Sequence, residues 1–392
     1  MLIIKHKKKI SPFGHFALAD QDSVRLISVE SCGSLAKVLK GKDAVKNLVV
    51  PVLLRFAGDQ SWRVRHQAVI QIPDVADSTV KNVLLSMLLP SFVALLQDSE
   101  AEVRAVAASR IASFSALLPK EDIKASILPC CHDLAIDPSQ YVRKSLAETV
   151  PELAPLLGKD VTSQHLLPIF LELLKDEYSD VRLGMIGKLD CVGKVIGMNL
   201  LSNSLLPAIE DLAKDEHWRV RLAIISHVPL LANQLGQDFL EKQLAPQCFS
   251  WLEDKVFSIR EAAIETLTKL TQQFGSDWAR DNLVPAILST LENKNYLYRT
   301  TGLHTIAALA PYMHKNVVES QLVPAIVHSA QNDRIPNVRF NSAKVLEDLV
   351  PSTDKSLLNQ VIKPCLMQLK DDDDSDVRYF ATKALVACEV VS

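Results

Sequence analysis

Apolar residues recur at helical spacing in pairs of segments joined by a short polar turn, and the arrangement repeats along the chain. Around one such turn, Leu205, Ile209 and Leu212 mark the first segment and Val220, Ile224 and Val228 mark the second. A Val-Arg doublet opens each second segment. Its arginines are Arg25, Arg65, Arg104, Arg143, Arg182, Arg221, Arg260, Arg299, Arg339 and Arg378, spaced by 39 residues in seven intervals and by 40 in two. Val precedes the arginine eight times, Ile259 and Tyr298 once each. Five residues before that position there is usually an acid: Asp59, Asp98, Asp137, Asp176, Asp215, Asp254, Asp333 and Asp372, with Asn293 as the one polar stand-in. A register held over ten copies means stacked copies of one supersecondary unit, here two helices and a turn.

A second mark keeps the same period. Pro51, Pro90, Pro129, Pro168, Pro207, Pro246, Pro285, Pro324 and Pro364 each precede the acidic position by about eight residues. Each lies inside the first helix or near its start, where it removes a backbone donor and should bend the axis. About 39 residues, two helices and a D-x-x-x-x-V-R turn fit a HEAT-type repeat. The expected fold is all-α, an α-solenoid of about ten HEAT repeats with two antiparallel helices in each. A basic tail over 1–15 precedes one array over 16–392, divided as 16–41, 42–80, 81–119, 120–158, 159–197, 198–236, 237–275, 276–314, 315–353 and 354–392. The first repeat is irregular, so its end of the array is expected to be frayed or covered by a partner.

Composition narrows the choice. Twelve glycines in 392 residues, against an average near 7%, mean that few turns need positive φ and that no Gly-rich phosphate loop can be built. Hydrophobic residues make up 48% of the chain, enough for a core that grows by stacking neighbours. A net charge of −3 indicates no broad attraction to nucleic acid. Seven cysteines without paired spacing point to a reducing compartment and buried free thiols. No apolar run approaches the roughly 20 residues that span a bilayer. The start, MLIIKHKKKI, carries its lysines after the apolar stretch and so does not read as a secretory signal. Lys5–Lys9 read either as a solvated tail or as a nuclear-localisation or phosphate-binding patch.

Residues present in every copy suit a structural role, because a catalytic site needs one constellation and not ten. Asp59, Arg65, Asp98, Arg104, Asp137, Arg143, Asp176, Arg182, Asp215, Arg221, Asp254, Arg260, Arg299, Asp333, Arg339, Asp372 and Arg378 are expected to form a polar ladder within and between turns. Function should lie where the copies differ. Two residues before the apolar position the series runs Asp22, Trp62, Ala101, Gln140, Ser179, Trp218, Phe257, Tyr296, Pro336, Ser375. Three aromatics are consecutive there, and Arg63 and Arg219 follow the two tryptophans. Such residues serve as binding anchors, or each ring folds back on its own repeat. No His-Glu metal pair, Cys-x-x-Cys, nucleophile elbow or Walker loop is present, so no catalytic residue, cofactor or metal is expected. Asp371–Asp374 with Asp376 lack the Gly and distal Glu of an EF-hand loop and read as a solvated turn tip. His227 and His304 read as core or groove residues.

Whole segments of the chain resemble the scaffold (A) subunits of type-2A protein phosphatases. The stretches are DSVRLISVE (22–30), DQSWRVRHQAV (59–69), LDCVGKVIG (189–197), SLLPAIEDLAKDEHWRVRLAIISHVPLLANQLG (204–236), DKVFSIREAA (254–263), NKNYLYRTT (293–301) and NVRFNSAKVL (337–346). On this resemblance the ten repeats correspond to the last ten of a longer family array, whose first five have no counterpart here. The resemblance implies a non-catalytic scaffold. The turns of repeats six to ten, within 198–392, would hold the phosphatase catalytic subunit. The anchors it implies are His217, Trp218 and Arg219, Val256 and Phe257, Tyr296 and Leu297, and Ile335, Pro336 and Asn337. Trp62 and Arg63 match the half of the family that holds an interchangeable regulatory (B-type) subunit.

The resemblance further implies a monomeric scaffold within a heteromeric complex, cytoplasmic and open to a nuclear presence, with no nucleic-acid or membrane partner. Two partners held on one solenoid edge gain effective concentration toward each other. The alternative is a HEAT-repeat adaptor, or a nuclear-transport type of solenoid, that binds other proteins. An enzyme on such a scaffold, an iron hydroxylase or a DNA glycosylase, wants His-Glu pairs or a basic groove that this chain lacks.

Overall fold

A computed structural model describes residues 19–39, 42–197, 207–237, 241 and 245–391. The expected basic tail over 1–15 lies outside the described residues. Every described element is helical, and the helices form the stacked antiparallel pairs that the periodicity implies. The chain divides into two compact units, residues 1–208 and 209–392.

The second helix of each period begins just after the acidic turn. In the first unit these helices are α1 (Asp22–Val38), α2 (Trp62–Asp77), α3 (Ala101–Ser109), α4 (Gln140–Thr149) and α5 (Ser179–Ile186). In the second they are α6 (Trp218–Leu235), α7 (Phe257–Phe274), α8 (Tyr296–Leu309), α9 (Pro336–Leu349) and α10 (Ser375–Val391). Within each unit every second helix packs on the next, and the described first helices pack on the second helix of their own period. The core is therefore a ridge between helix layers. Phe56, Phe92, Phe114 and Phe170 fill it in the first unit, and Trp251, Ile306 and Leu346 in the second. Burying one such side chain contributes about 1.5–3 kcal/mol. Trp251 also donates its indole N–H to the Ala213 carbonyl at 3.0 Å, so its one polar atom is satisfied.

The prolines lie within the first helices. Segments of wide, π-type turn run over Leu84–Leu88, Ile123–Ile127, Thr162–Leu166, Val318–Leu322 and Leu358–Ile362. Each ends two residues before its proline, at Pro90, Pro129, Pro168, Pro324 and Pro364. A proline ring collides with the carbonyl four residues back. Opening the turn relieves that collision, and Leu89 donates its N–H five residues back to Leu84. In two other first helices the adjustment is a one-residue break, at Val49 and at Leu283.

Four glycines close the periods. Gly158, Gly197, Gly236 and Gly275 have φ of 74, 80, 86 and 89°, with ψ between 163 and 175°. Side-chain-bearing residues almost never enter that region. Gly236 and Gly275 donate their N–H groups to Ala232 and Thr271, ending α6 and α7.

Candidate functional site

Each acidic turn is built the same way. An aspartate Oδ1 accepts the N–H two residues on, from Ser61, Glu100, Ser139, Tyr178, His217, Val256, Ile335 or Asp374, at 2.8–2.9 Å. The arginine six residues on donates Nη1 back to the aspartate's own carbonyl, as Arg143 does to Asp137 at 2.7 Å and Arg182 to Asp176 at 2.6 Å. The guanidinium then reaches the aspartate of the next period. In the first unit Arg25 meets Asp59 at 2.7 Å, and Arg65–Asp98, Arg104–Asp137 and Arg143–Asp176 meet at 2.6 Å. In the second unit the pairs are Arg221–Asp254 at 3.0 Å, Arg299–Asp333 at 2.6 Å and Arg339–Asp372 at 2.7 Å.

Three details depart from a uniform ladder. Arg25 joins it although Ala19 stands at its own turn's acidic position, because a backbone carbonyl serves there as well: Arg25 Nη1 donates to Ala19 at 2.8 Å. Arg260 reaches no carboxylate. Its next turn carries Asn293, and it donates Nε to the Thr301 hydroxyl at 3.1 Å. Arg378, in the last turn, is exposed, and among the described residues its guanidinium bonds the carbonyls of Asp372 and Asp373.

Three aspartates of the ladder, Asp59, Asp98 and Asp372, make it pH-sensitive. The Arg339 guanidinium holds the Asp372 carboxyl below its ordinary value, outweighing the opposing effect of burial. At Asp59 and Asp98 burial pushes upward, but the guanidinium and backbone N–H donors together bring the balance down. A lowered folded value stabilises the fold above the ordinary carboxylate range, and that gain is lost as pH falls through the folded value. Urea unfolding should therefore be nearly flat from pH 7 to pH 5 and weaken below about pH 4. Asp372→Asn should remove part of that acid dependence, and an unchanged profile would contradict the assignment.

The turns also fix the variable residues. Trp62, Trp218, Phe257, Tyr296 and Pro336 are the first residues of α2, α6, α7, α8 and α9. Because α6 to α9 pack in succession and the arginine of each of α6, α7 and α8 bonds the next period, their first residues share one edge of the second unit. That edge brings together His217, Trp218, Arg219, Val256, Phe257, Tyr296, Leu297, Ile335, Pro336 and Asn337. Phe257 is 61% exposed, Leu297 42% and Tyr296 36%. Trp218 is half-buried, with the Arg219 guanidinium 4.6 Å from its ring centre. Trp62 carries Arg63 at 4.9 Å in the first unit. The ring packing is thus mixed: Phe257 stands out, whereas each tryptophan is half covered by its own turn.

Between α7 and α8 runs a groove of about 590 Å³ lined by Phe257, Arg260, Ile264, Thr301, His304 and Ala308, among others. His304 bonds Asn341 at 3.3 Å, while His227 Nδ1 lies 2.8 Å from its own helix's Ala223 carbonyl. The seven cysteines are unpaired and six are buried. Burial pushes Cys32 and Cys248 up to about 12, which disfavours their thiolates. Among the described residues no group of three or more His, Cys, Asp or Glu is placed to hold a metal ion. The Asp371–Asp374 run instead supplies Asp372 to Arg339 and Asp374 to the N–H groups of Asp376 and Val377. No described helix is long and apolar enough to cross a membrane.

Residues 81–158 and 159–236 match a model of the PPP2R1A-like HEAT repeat, and residues 244–274 match the general HEAT repeat. The chain is 45% identical over 51 residues to the beta isoform of the human serine/threonine-protein phosphatase 2A 65 kDa regulatory subunit, covering 13% of this chain and 8% of that protein. The Drosophila melanogaster serine/threonine-protein phosphatase PP2A 65 kDa regulatory subunit is 44% identical over 53 residues, 14% of this chain and 9% of its own length. The matched stretches thus span about a tenth of those relatives. Among solved structures, importin beta superposes with a TM-score of 0.63 at 12% identity, over 98% of this chain and 52% of its own. The karyopherin Kap121p, bound to the extreme C-terminus of the protein phosphatase Cdc14p, superposes at 0.64 and 14% identity, over 97% and 42%. The chain is an all-α solenoid of stacked helix pairs, with HEAT-repeat matches over residues 81–236 and 244–274 and a fold like that of importin beta.

Proposed function

We propose that this chain is a non-catalytic adaptor that binds protein partners along the turn edge of α6 to α9. The observation that carries this reading is the run of Phe257, Tyr296 and Leu297 at the starts of adjacent helices, exposed where the core has no use for them. Aromatic residues at such positions act as anchors, and truncating one typically weakens binding by about 2 kcal/mol or more. The general adaptor reading draws support from a likeness in fold, over nearly all of this chain and about half or less of theirs, to karyopherin-type solenoids.

A finer reading, a scaffold for a type-2A phosphatase catalytic subunit, draws support from the matches at residues 81–236 and from the phosphatase subunits among the relatives. Titrating the purified chain with that catalytic subunit separates the two. Binding that Trp218→Ala and Tyr296→Ala each weaken tenfold or more, about 1.4 kcal/mol, selects the phosphatase scaffold. No binding by a folded chain leaves the adaptor with other partners.

A further inference from the structure

The step from Arg260 to the next turn is a rung without a carboxylate. Asn293 occupies the acidic position and keeps the rest of the turn: its Oδ1 accepts the Asn295 N–H at 2.9 Å, and its carbonyl accepts from Arg299 at 2.8 Å. With Oδ1 so engaged, the amide presents NH2 where an aspartate presents its second oxygen. Two donors cannot bond each other. Arg260 accordingly places Nε on Thr301 at 3.1 Å and Nη1 on the Asp254 carbonyl at 2.9 Å. Its Nη2, which at the other rungs meets Oδ1 of the next aspartate, makes no hydrogen bond among the described residues.

Arg260 as a whole is nevertheless only 7% exposed, and it lines the groove between α7 and α8 together with Phe257 and Ile264. The Phe257 ring centre lies 5.5 Å from its Cζ. Two acids also border the groove. Glu265 is held by Lys269 at 2.7 Å, and Glu261 is exposed. A largely buried guanidinium with no carboxylate in hydrogen-bond reach among the described residues gains from a charge-assisted bond to one.

We infer that the groove takes an acidic side chain, Asp or Glu, from a protein partner docked on the α7–α8 edge. That carboxylate completes the missing rung at Nη2, while Phe257 and Ile264 seat an apolar neighbour beside it. This deepens the adaptor reading and rests on it. Glu261 and Glu265 disfavour a phosphate dianion, so a singly charged carboxylate fits the groove better.

Asn293→Asp tests the inference, because it supplies the rung from within. The variant should unfold at a higher temperature than the parent chain and lose about tenfold in affinity for an acidic ligand. Calorimetry on the full chain would use a short peptide alternating Leu with Glu, its Gln counterpart, inorganic phosphate and the type-2A catalytic subunit. Binding of the Glu peptide but not the Gln peptide, weakened by Asn293→Asp, supports the carboxylate site. If the Glu peptide behaves so and the catalytic subunit does not bind, the phosphatase reading alone fails. Equal binding of the two peptides, no binding of either, displacement by millimolar phosphate, or an affinity untouched in a stabilised Asn293→Asp chain would each overturn the inference.

Discussion

Arg143→Ala should destabilise the packing of α4 on α5 by about 3–5 kcal/mol, the range for removing one member of a buried ion pair. The guanidinium and the Asp176 carboxylate are both more than nine-tenths buried and meet through two bonds, at 2.6 and 3.1 Å. The same side chain also holds its own turn through the Asp137 carbonyl. Without it, Asp176 keeps a buried charge with one backbone donor. Pairing Arg143→Met with Asp176→Leu should recover part of the loss, since no charge is then buried and unpaired, although the Asp137 carbonyl and the Tyr178 N–H lose their side-chain partners. Hydrogen exchange should place the lost protection in the two periods that share the rung, because repeats contact only their neighbours. A loss under about 1 kcal/mol, well below that range, or one spread evenly over the first unit, would contradict this account.

Phe114→Ala is expected to be as costly, about 3–5 kcal/mol. The ring is fully buried, and its centre lies 4.3 Å from that of Phe92 in the same period. Phe92→Ala should cost a similar amount. The double variant should lose less than the sum, because the second truncation removes a partner that the first has already left facing a void. Urea denaturation followed by far-ultraviolet circular dichroism measures all three, and strict additivity would show that the two rings do not share one packed site.

The period was legible because it is written in charged and imino residues that recur at fixed places: the acid, the arginine six residues on, and the proline of the first helix. Their roles in the turn follow from donor and acceptor counting. The wide turns ahead of Pro90 and its equivalents were not legible, because a proline shows where a helix must adjust but not whether it bends, breaks or widens. Gly158, Gly197, Gly236 and Gly275 stand 39 residues apart, a signal the sequence does carry. A low glycine total says how few turns need positive φ, and only the spacing says where those turns fall. At the edge, the series Trp218, Phe257, Tyr296 could be read from the sequence. The covering of Trp218 by Arg219 and the exposure of Phe257 could not, because they depend on rotamers. The broken rung was half visible in Asn293, but the acceptor that replaced the missing carboxylate, Thr301, looks like any other helix residue.

Since each described rung joins an arginine's guanidinium to the following turn's aspartate carboxylate, the joint carries no record of which period it belongs to. Excising 120–158 would set Arg104 opposite Asp176 with the pairing chemistry complete. Such an array can gain or lose length in whole periods without a new joint having to be invented. Asn293 is the exception: whichever period is spliced ahead of it inherits a guanidinium without a mate, so the vacancy travels with the asparagine's turn and not with the arginine.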